Sequence, residues 1–417
     1  MYLKHISGGK MRILVISQYF YPEQFRINDI CLELQRRGHE VNVITGLPNY
    51  PEGEIFEGYE NSYANMEKYH NIDVYRCKLR PRHTGTVNLI RNYISFAYKA
   101  SKLALKIRKK YDVIYVYGLS PVTQAIPAII FKKKYNVPIY YYCCDIWPES
   151  VRGAYGSNKQ KSLHHPIYLI AKILTKSIYK NIDFIGTKCQ EFIDYNADVC
   201  MVPRSKMDVI YEHAEDSYLK VNENADDNGI VDFMFLGNIG KAQNCDQLIL
   251  SITRLKRTRP FKLHFVGDGS DLENLKQMVE KMGLGEIVIF HGKHPVSEVI
   301  KFYNLADVCL LSLSNRTKTG LTPPAKLVGY MAAARPIVAS INGAADFLIN
   351  DAKCGFCVKA DDLNGLVDSM QKVIDNPDCI KGMGKNGRAY FKKYFTLNKH
   401  VDKLEQNLLN VVQSHHK

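Results

Sequence analysis

Val231-Asp-Phe-Met-Phe-Leu-Gly-Asn-Ile-Gly-Lys-Ala-Gln243 decides the fold of this chain. An apolar run, Asp232 to Phe235, meets a loop holding Gly237 and Gly240. Leu248, Ile252 and Leu255 follow at helical spacing. The stretch reads as strand, glycine loop and helix. Such a loop turns backbone N–H groups and a helix N-terminus toward an anion, usually phosphate. A plain tight turn uses the same residues, so the weight comes from repetition. Strands are expected at 231–236, 261–266, 286–291, 307–313, 336–340 and 356–359, with helices between them.

The same alternation precedes it. Strands are expected at 12–17, 41–45, 73–76, 113–116, 138–143 and 184–186, with helices after 27 and at 86–109 and 121–134. Residues 46–70 are expected as a long turn-rich loop of the kind that overlies a site. The polar stretch Val221-Asn-Glu-Asn-Ala-Asp-Asp-Asn-Gly229 is the best linker. Strand–helix alternation on both sides of it implies α/β architecture, with a doubly wound parallel sheet in each half. The expected domains are 1–219 and 220–417. Ligands then bind at the carboxyl ends of the strands, in the cleft between halves.

Composition bounds the rest. A chain of 417 residues exceeds one ordinary core. No apolar run of transmembrane length occurs, and Met1–Lys10 lacks the apolar core of a signal peptide. The 11 cysteines are scattered, several in apolar runs, as expected of buried free thiols. Cys354-Gly-Phe-Cys357 has no second pair to make a metal site. The net charge of +14 is uneven. Residues 91–135 hold ten Lys/Arg and one Asp, and residues 157–180 hold five Lys and no acid. In the latter, Lys172, Lys176 and Lys180 share a helix face opposite Ile167, Ile170, Leu174 and Ile178. An ordinary surface helix would look like this. So would a basic face on anionic lipid headgroups. No nucleic-acid module is present, and no GxGxxG follows the first strand.

Several further segments complete a resemblance. They are Tyr21-Pro-Glu-Gln-Phe-Arg-Ile-Asn28, Gly46-Leu-Pro-Asn-Tyr-Pro51, Asp145-Ile-Trp-Pro-Glu-Ser150, Phe265-Val-Gly-Asp-Gly269, and Pro324-Ala-Lys-Leu-Val-Gly-Tyr-Met-Ala-Ala333 with Arg335-Pro336. With Gly237–Gln243, their order resembles the GT-B glycosyltransferases, specifically the retaining family 4 group. The likeness is greatest to the sugar transferases of bacterial O-antigen, capsule and colanic-acid clusters. The resemblance implies two Rossmann-like domains, acceptor-binding then nucleotide-sugar-binding, with the last helix packing back on the first. It implies retention without a protein nucleophile. Neither metal nor cofactor is expected, and no Asp-x-Asp or Cys/His cluster suggests a metal site.

The expected donor residues are Gly237, Asn238, Gly240, Lys241 and Gln243 in the glycine loop, and Thr319, Gly320, Leu321 and Thr322 before the helix that carries Lys326. Charge and helix dipole at Lys326 could together stabilise the departing diphosphate. A solvated lysine at a helix start is the plain alternative. The resemblance implies that the loop His291, Gly292, Lys293, His294 pairs with the base edge, which favours UDP. The chain departs from the family at Gly329 and Leu321, where paired glutamates are usual, and at Asn238 and Gln243, where Arg and Lys are usual.

On the acceptor side, Asp145 and Glu149 flank Trp147 at a strand end, where a carboxylate could take the acceptor's proton or bind sugar hydroxyls. Asp145 could equally cap a helix. Glu23, Arg26, Asn49 and Tyr50 are the other acceptor-side candidates. The expected partners are a nucleotide-sugar, a polyprenyl-diphosphate-linked sugar acceptor and an anionic membrane surface, without nucleic acid. The expected location is cytoplasmic, peripheral at the inner face of the cell membrane. A nucleotide-sugar 2-epimerase and a non-catalytic sugar-nucleotide-binding subunit are the alternatives.

Overall fold

The computed structural model describes residues 9–59, 66–152, 166–224, 228–314 and 322–416. The chain forms two compact units, Met1–Tyr211 with Leu397–Lys417, and Glu212–Thr396. The division falls eight residues before the expected 219/220 boundary, and the last helix, expected to pack back on the first domain, lies in the first unit. The short turn Asp216–Lys220 explains the shift. Its Tyr218 ring packs 5.1 Å from Tyr303 of the second unit. Just beyond it, the carbonyl of Val221 accepts a 2.7 Å bond from buried Arg388.

In the first unit the strands are β1 (Arg12–Ile16), β2 (Glu40–Gly46), β3 (Met66–Tyr69), β4 (Ile72–Cys77), β5 (Val113–Gly118), β6 (Ile139–Cys143), β7 (Phe184–Thr187) and β8 (Met207–Val209). Among the described residues they form one sheet, ordered β3-β4-β2-β1-β5-β6-β7-β8. Every neighbour is parallel except the β3–β4 pair. That hairpin occupies part of the stretch read as loop. Its residues Met66-Glu-Lys-Tyr69 are exposed or half-buried at a sheet edge, so they carry no buried run to signal a strand.

Valine, isoleucine and tyrosine make the central strands, as expected of a sheet covered on both faces. Tyr115 and Tyr140 face each other at 5.8 Å, and Tyr117 and Tyr142 at 5.7 Å, all buried. The helix Leu397–His415 covers this layer with Val401, Leu404, Leu408, Val411 and Val412. Each buried side chain of this size contributes about 1.5–3 kcal/mol, which ties the end of the chain to this unit.

The helix Pro166–Lys180 corrects one expectation. It buries Tyr168, Ala171, Thr175, Ile178 and Tyr179. Ile167 and Ile170, expected against the core, are exposed, and so are Leu169 and Ile173. Lys172 and Lys176 are half-buried beside the packed face. Small and aromatic residues, rather than isoleucines, fit the close approach to the neighbouring elements. The isoleucine row is therefore left facing out.

The second unit is a six-stranded parallel sheet among the described residues, ordered β11-β10-β9-β12-β13-β14. Its strands are β9 (Val231–Leu236), β10 (Phe261–Val266), β11 (Val288–Gly292), β12 (Val308–Ser312), β13 (Ile337–Ser340) and β14 (Gly355–Val358). The strand order reverses between β9 and β12, so the crevice at their carboxyl ends is the natural ligand position. Leu236 pairs with Val266 in register, which brings Gly237 and Gly267 out of the sheet side by side.

Candidate active site

Two glycine loops at this edge interlock. Gly237 N–H donates to Val266 O (2.8 Å), Ile239 N–H to Asp268 O (2.9 Å) and Gly267 N–H to Gly292 O (2.8 Å). Gly267 has φ +146°, and a Cβ built on it would lie 1.9 Å from Gly237 O. A Cβ on Gly269 would lie 2.3 Å from Ile239 O. No side chain fits at either position, so glycine is required. Beside these loops lies a cavity of about 560 Å³. Leu236, Gly237, Asn238, Asp268, Lys293 and His294 are among its lining residues. The volume suits a small-molecule ligand.

The loop does not run straight into its helix. A short turn at Lys241–Gln243 and a left-handed Asn244 (φ 50°) intervene before the helix Cys245–Ile252. Lys241 consequently points to solvent. Gln243 turns inward instead, and its Oε1 accepts a 2.6 Å bond from Lys326 Nζ. Lys326 lies in the first turn of the helix Ala325–Ala332, half-buried, with Nζ 3.9 Å from the centre of the Phe235 ring. Burial lowers its pKa to about 8. No carboxylate pairs with it among the described residues. A desolvated cation balanced only by an amide oxygen and a ring face is poised to accept an anion.

Gly329 faces away from this need. A Cβ there would stand 3.0 Å from Tyr303 Oη and 3.5 Å from Tyr218, so two tyrosines fill the space a glutamate would use. The loop His291–His294 does reach the cavity, through Lys293 and His294. His291 is held from below: Asp232 Oδ1 lies 2.9 Å from His264 Nε2, and His264 Nδ1 lies 2.9 Å from His291 Nε2. Burial, then the neighbouring histidines, depress the His291 pKa. Thr322 precedes the helix of Lys326; Thr319, Gly320 and Leu321 lie outside the described residues.

In the first unit the strand order reverses between β1 and β5, and the acceptor-side candidates gather at that edge. Asp145, just past β6, accepts a 2.9 Å bond from Ser120 N–H on Oδ2. It does not cap a helix, and its other oxygen is unpaired among the described residues. Trp147 Nε1–H donates to Ser120 Oγ at 3.0 Å. Glu149 is built into the wall instead, taking hydroxyls from Tyr195 (3.0 Å) and Tyr168 (3.4 Å) on one oxygen.

Glu23 and Asn49 are buried and internally engaged, contrary to their reading as acceptor contacts. Glu23 accepts N–H bonds from Asn49 (2.9 Å), Tyr50 (2.9 Å) and Phe20 (3.2 Å). Burial pushes its pKa up to about 7 against those three donors. Asn49 Oδ1 takes the N–H of Arg82 at 3.1 Å. Arg26, half-buried, opens the helix Arg26–Arg36. Tyr50 remains partly open, its ring 5.5 Å from Tyr19 and 5.3 Å from Phe25. Sequence reasoning missed Tyr19, Arg82 and Tyr93, which surround Tyr50 and carry no motif.

With this geometry in hand, known proteins can be compared. Residues 220–390, nearly the whole second unit, match the family described as glycosyl transferases group 1. The Escherichia coli K12 glycosyl transferase WcaI, named for colanic acid biosynthesis, is 23% identical over 77% of this chain and 81% of its own. Alpha-monoglucosyldiacylglycerol synthase of Streptococcus pneumoniae is 21% identical over 88% of this chain and 79% of its own. The solved structure of Anabaena HepE in complex with UDP and glucose superposes with a TM-score of 0.65 at 15% identity, covering 96% of this chain and 99% of that one. Residues 220–390 thus carry a group 1 glycosyltransferase domain, and the chain has the GT-B fold of the glycosyltransferases it superposes on.

Proposed function

We propose that this enzyme moves a sugar from a UDP-sugar, with retention, to a lipid-linked acceptor in the making of a bacterial surface polysaccharide. The observation that carries the donor assignment is the half-buried Lys326 beside the interlocked loops and the 560 Å³ cavity. As the anomeric C–O bond breaks, the departing diphosphate gains charge, and a preorganised cation with backbone N–H groups stabilises it. The new C–O bond forms to the acceptor hydroxyl. Its proton passes to Asp145 or to the leaving phosphate. Lys293 and His294 line the same cavity, which supports reading them as the contacts to the base edge. UDP in the HepE complex and the glycolipid in the synthase's name support the finer reading.

Thermal shift over UDP-, GDP- and TDP-sugars tests it. A ligand at a hundredfold excess over Kd stabilises by about 2.7 kcal/mol, which is roughly 5–10 °C for a unit of this size. The UDP-sugars should give that shift. A shift only with GDP- or TDP-sugars would overturn the choice of base.

The acceptor lipid implies work at a membrane surface, peripherally on the cytoplasmic side. No described helix is long and apolar enough to cross one. Two described helices of the first unit expose apolar rows flanked by lysines instead. Ile170 and Ile173 are 63% and 69% exposed, and Val87 and Ile94 on the helix Thr86–Lys106 are 63% and 62% exposed. Apolar insertion and attraction of lysines to anionic headgroups act together in such faces. Replacing Ile170 and Ile173 together by Asp should cut binding to anionic vesicles at least about tenfold, since each buried side chain is worth about 1.5–3 kcal/mol. The melting temperature should hold, because neither residue packs. Equal co-sedimentation of variant and parent would remove this helix as the contact.

A further inference from the structure

Arg82 stands apart from the donor machinery. It lies between β4 and the helix Thr86–Lys106, in the basic run Lys78-Leu-Arg-Pro-Arg-His83. Its side chain is half-buried, with the guanidinium carbon 5.3 Å from the centre of the Tyr50 ring, which itself lies 5.5 Å from the Tyr19 ring. Tyr93 lies near enough to Arg82, Tyr50 and Asp145 to feel their charges. No carboxylate pairs with Arg82 among the described residues. The nearby Glu23 is engaged by three backbone N–H groups, and Glu54 pairs with His83 at 2.5 Å. A half-buried guanidinium against a tyrosine ring, with no carboxylate partner among the described residues, presents its charge to an anion. Its planar fork matches phosphate oxygens two at a time.

We propose that Arg82, with Tyr19, Tyr50 and Tyr93, forms an anion subsite in the first unit that holds a phosphate or diphosphate group of the acceptor. The inference rests on the glycosyltransferase reading and adds the acceptor's chemical class. The half-exposed Tyr50 ring offers a face on which an attached sugar or isoprenoid segment can lie. The backbone N–H of Arg82 is anchored to Asn49 independently of its side chain, so substitution of the side chain leaves the loop in place.

The test is calorimetric titration of the full chain, saturated with UDP, with inorganic pyrophosphate and with farnesyl diphosphate. The parent should bind at least one probe. Arg82→Gln should weaken that binding about 10- to 100-fold, as expected for lost charge-assisted bonds, with Arg82→Lys between the two. UDP affinity should be the same in all three proteins. Farnesyl diphosphate binding more tightly than pyrophosphate assigns the subsite to a lipid carrier. Equal binding assigns it to phosphate itself. A parent that binds neither probe, or an Arg82→Gln variant that binds both undiminished, overturns the proposal. Loss of UDP binding in the parent would count against the donor assignment alone, because the comparison at Arg82 stands without it.

Discussion

Asp145→Asn should lower the transfer rate about 10²–10⁴-fold, the usual worth of a positioned acid–base group, while leaving UDP affinity unchanged. Asparagine is isosteric, and its carbonyl can still accept the Ser120 N–H that Asp145 Oδ2 holds at 2.9 Å. What it loses is a basic oxygen on the side left unpaired. Donor binding is unaffected because Asp145 belongs to the first unit, whereas the interlocked loops and Lys326 belong to the second. Rates should be measured per folded molecule, alongside melting temperature. A variant that melts lower yet turns over at the parental rate would make Asp145 a brace for Ser120 and nothing more. Glu149→Gln makes a useful contrast. Its carboxylate already takes two tyrosine hydroxyls, so its replacement should show in stability before rate.

Lys326→Ala should lower kcat roughly 10²-fold, comparable to removing one oxyanion donor. The pH dependence supplies an independent check. Burial holds the Lys326 pKa at about 8, below its ordinary value. Between pH 8 and the unfolded value of about 10.4, the unfolded chain carries more protons at this residue than the folded one. Stability from this residue therefore rises with pH across that window and is lost as pH falls through it. A bound diphosphate reverses the preference by favouring the ammonium. Binding above pH 8 must then take up a proton. UDP affinity should be flat between about pH 7 and 8 and fall by up to about tenfold per unit above it, since the terminal phosphate of UDP, with its last pKa near about 6, is already ionised there. Lys326→Arg should abolish that slope, because guanidinium keeps its charge. A flat profile in the parent would remove Lys326 from the diphosphate.

The parts of this architecture legible in the sequence are those whose signal is local. Leu236-Gly237 and Val266-Gly267 each read as a strand running into a turn, and the register then sets them side by side. Lys326 was legible because a proline pair precedes it and a helical pattern follows. β3 and β8 were not, being four and three residues long at the sheet edges. The face of Pro166–Lys180 was misread because periodicity marks a stripe of apolar side chains, and that helix has two. Thr175 and Ala171 pack while Ile170 does not, a choice made by the space beneath the helix rather than by hydrophobicity. The inward turn of Gln243 depends on the left-handed Asn244, which no spacing rule reveals. The tyrosines around Arg82 come from segments more than 70 residues apart, Tyr19 to Tyr93. Buried Asn49 and Asn92 draw those segments together, and each reads in isolation as an unremarkable loop or helix polar residue.

The mutual exclusion of side chains at Gly267 and Gly269 bears on how this family diversifies. The interlock of the two loops is made of main chain, and main chain cannot be mutated away. Side chains around it are free to drift, provided the glycines stay. Asn238 and Gln243 belong to that variable surround. A library that randomised residues 238 and 243 while holding 237, 267 and 269 should keep both loops interlocked.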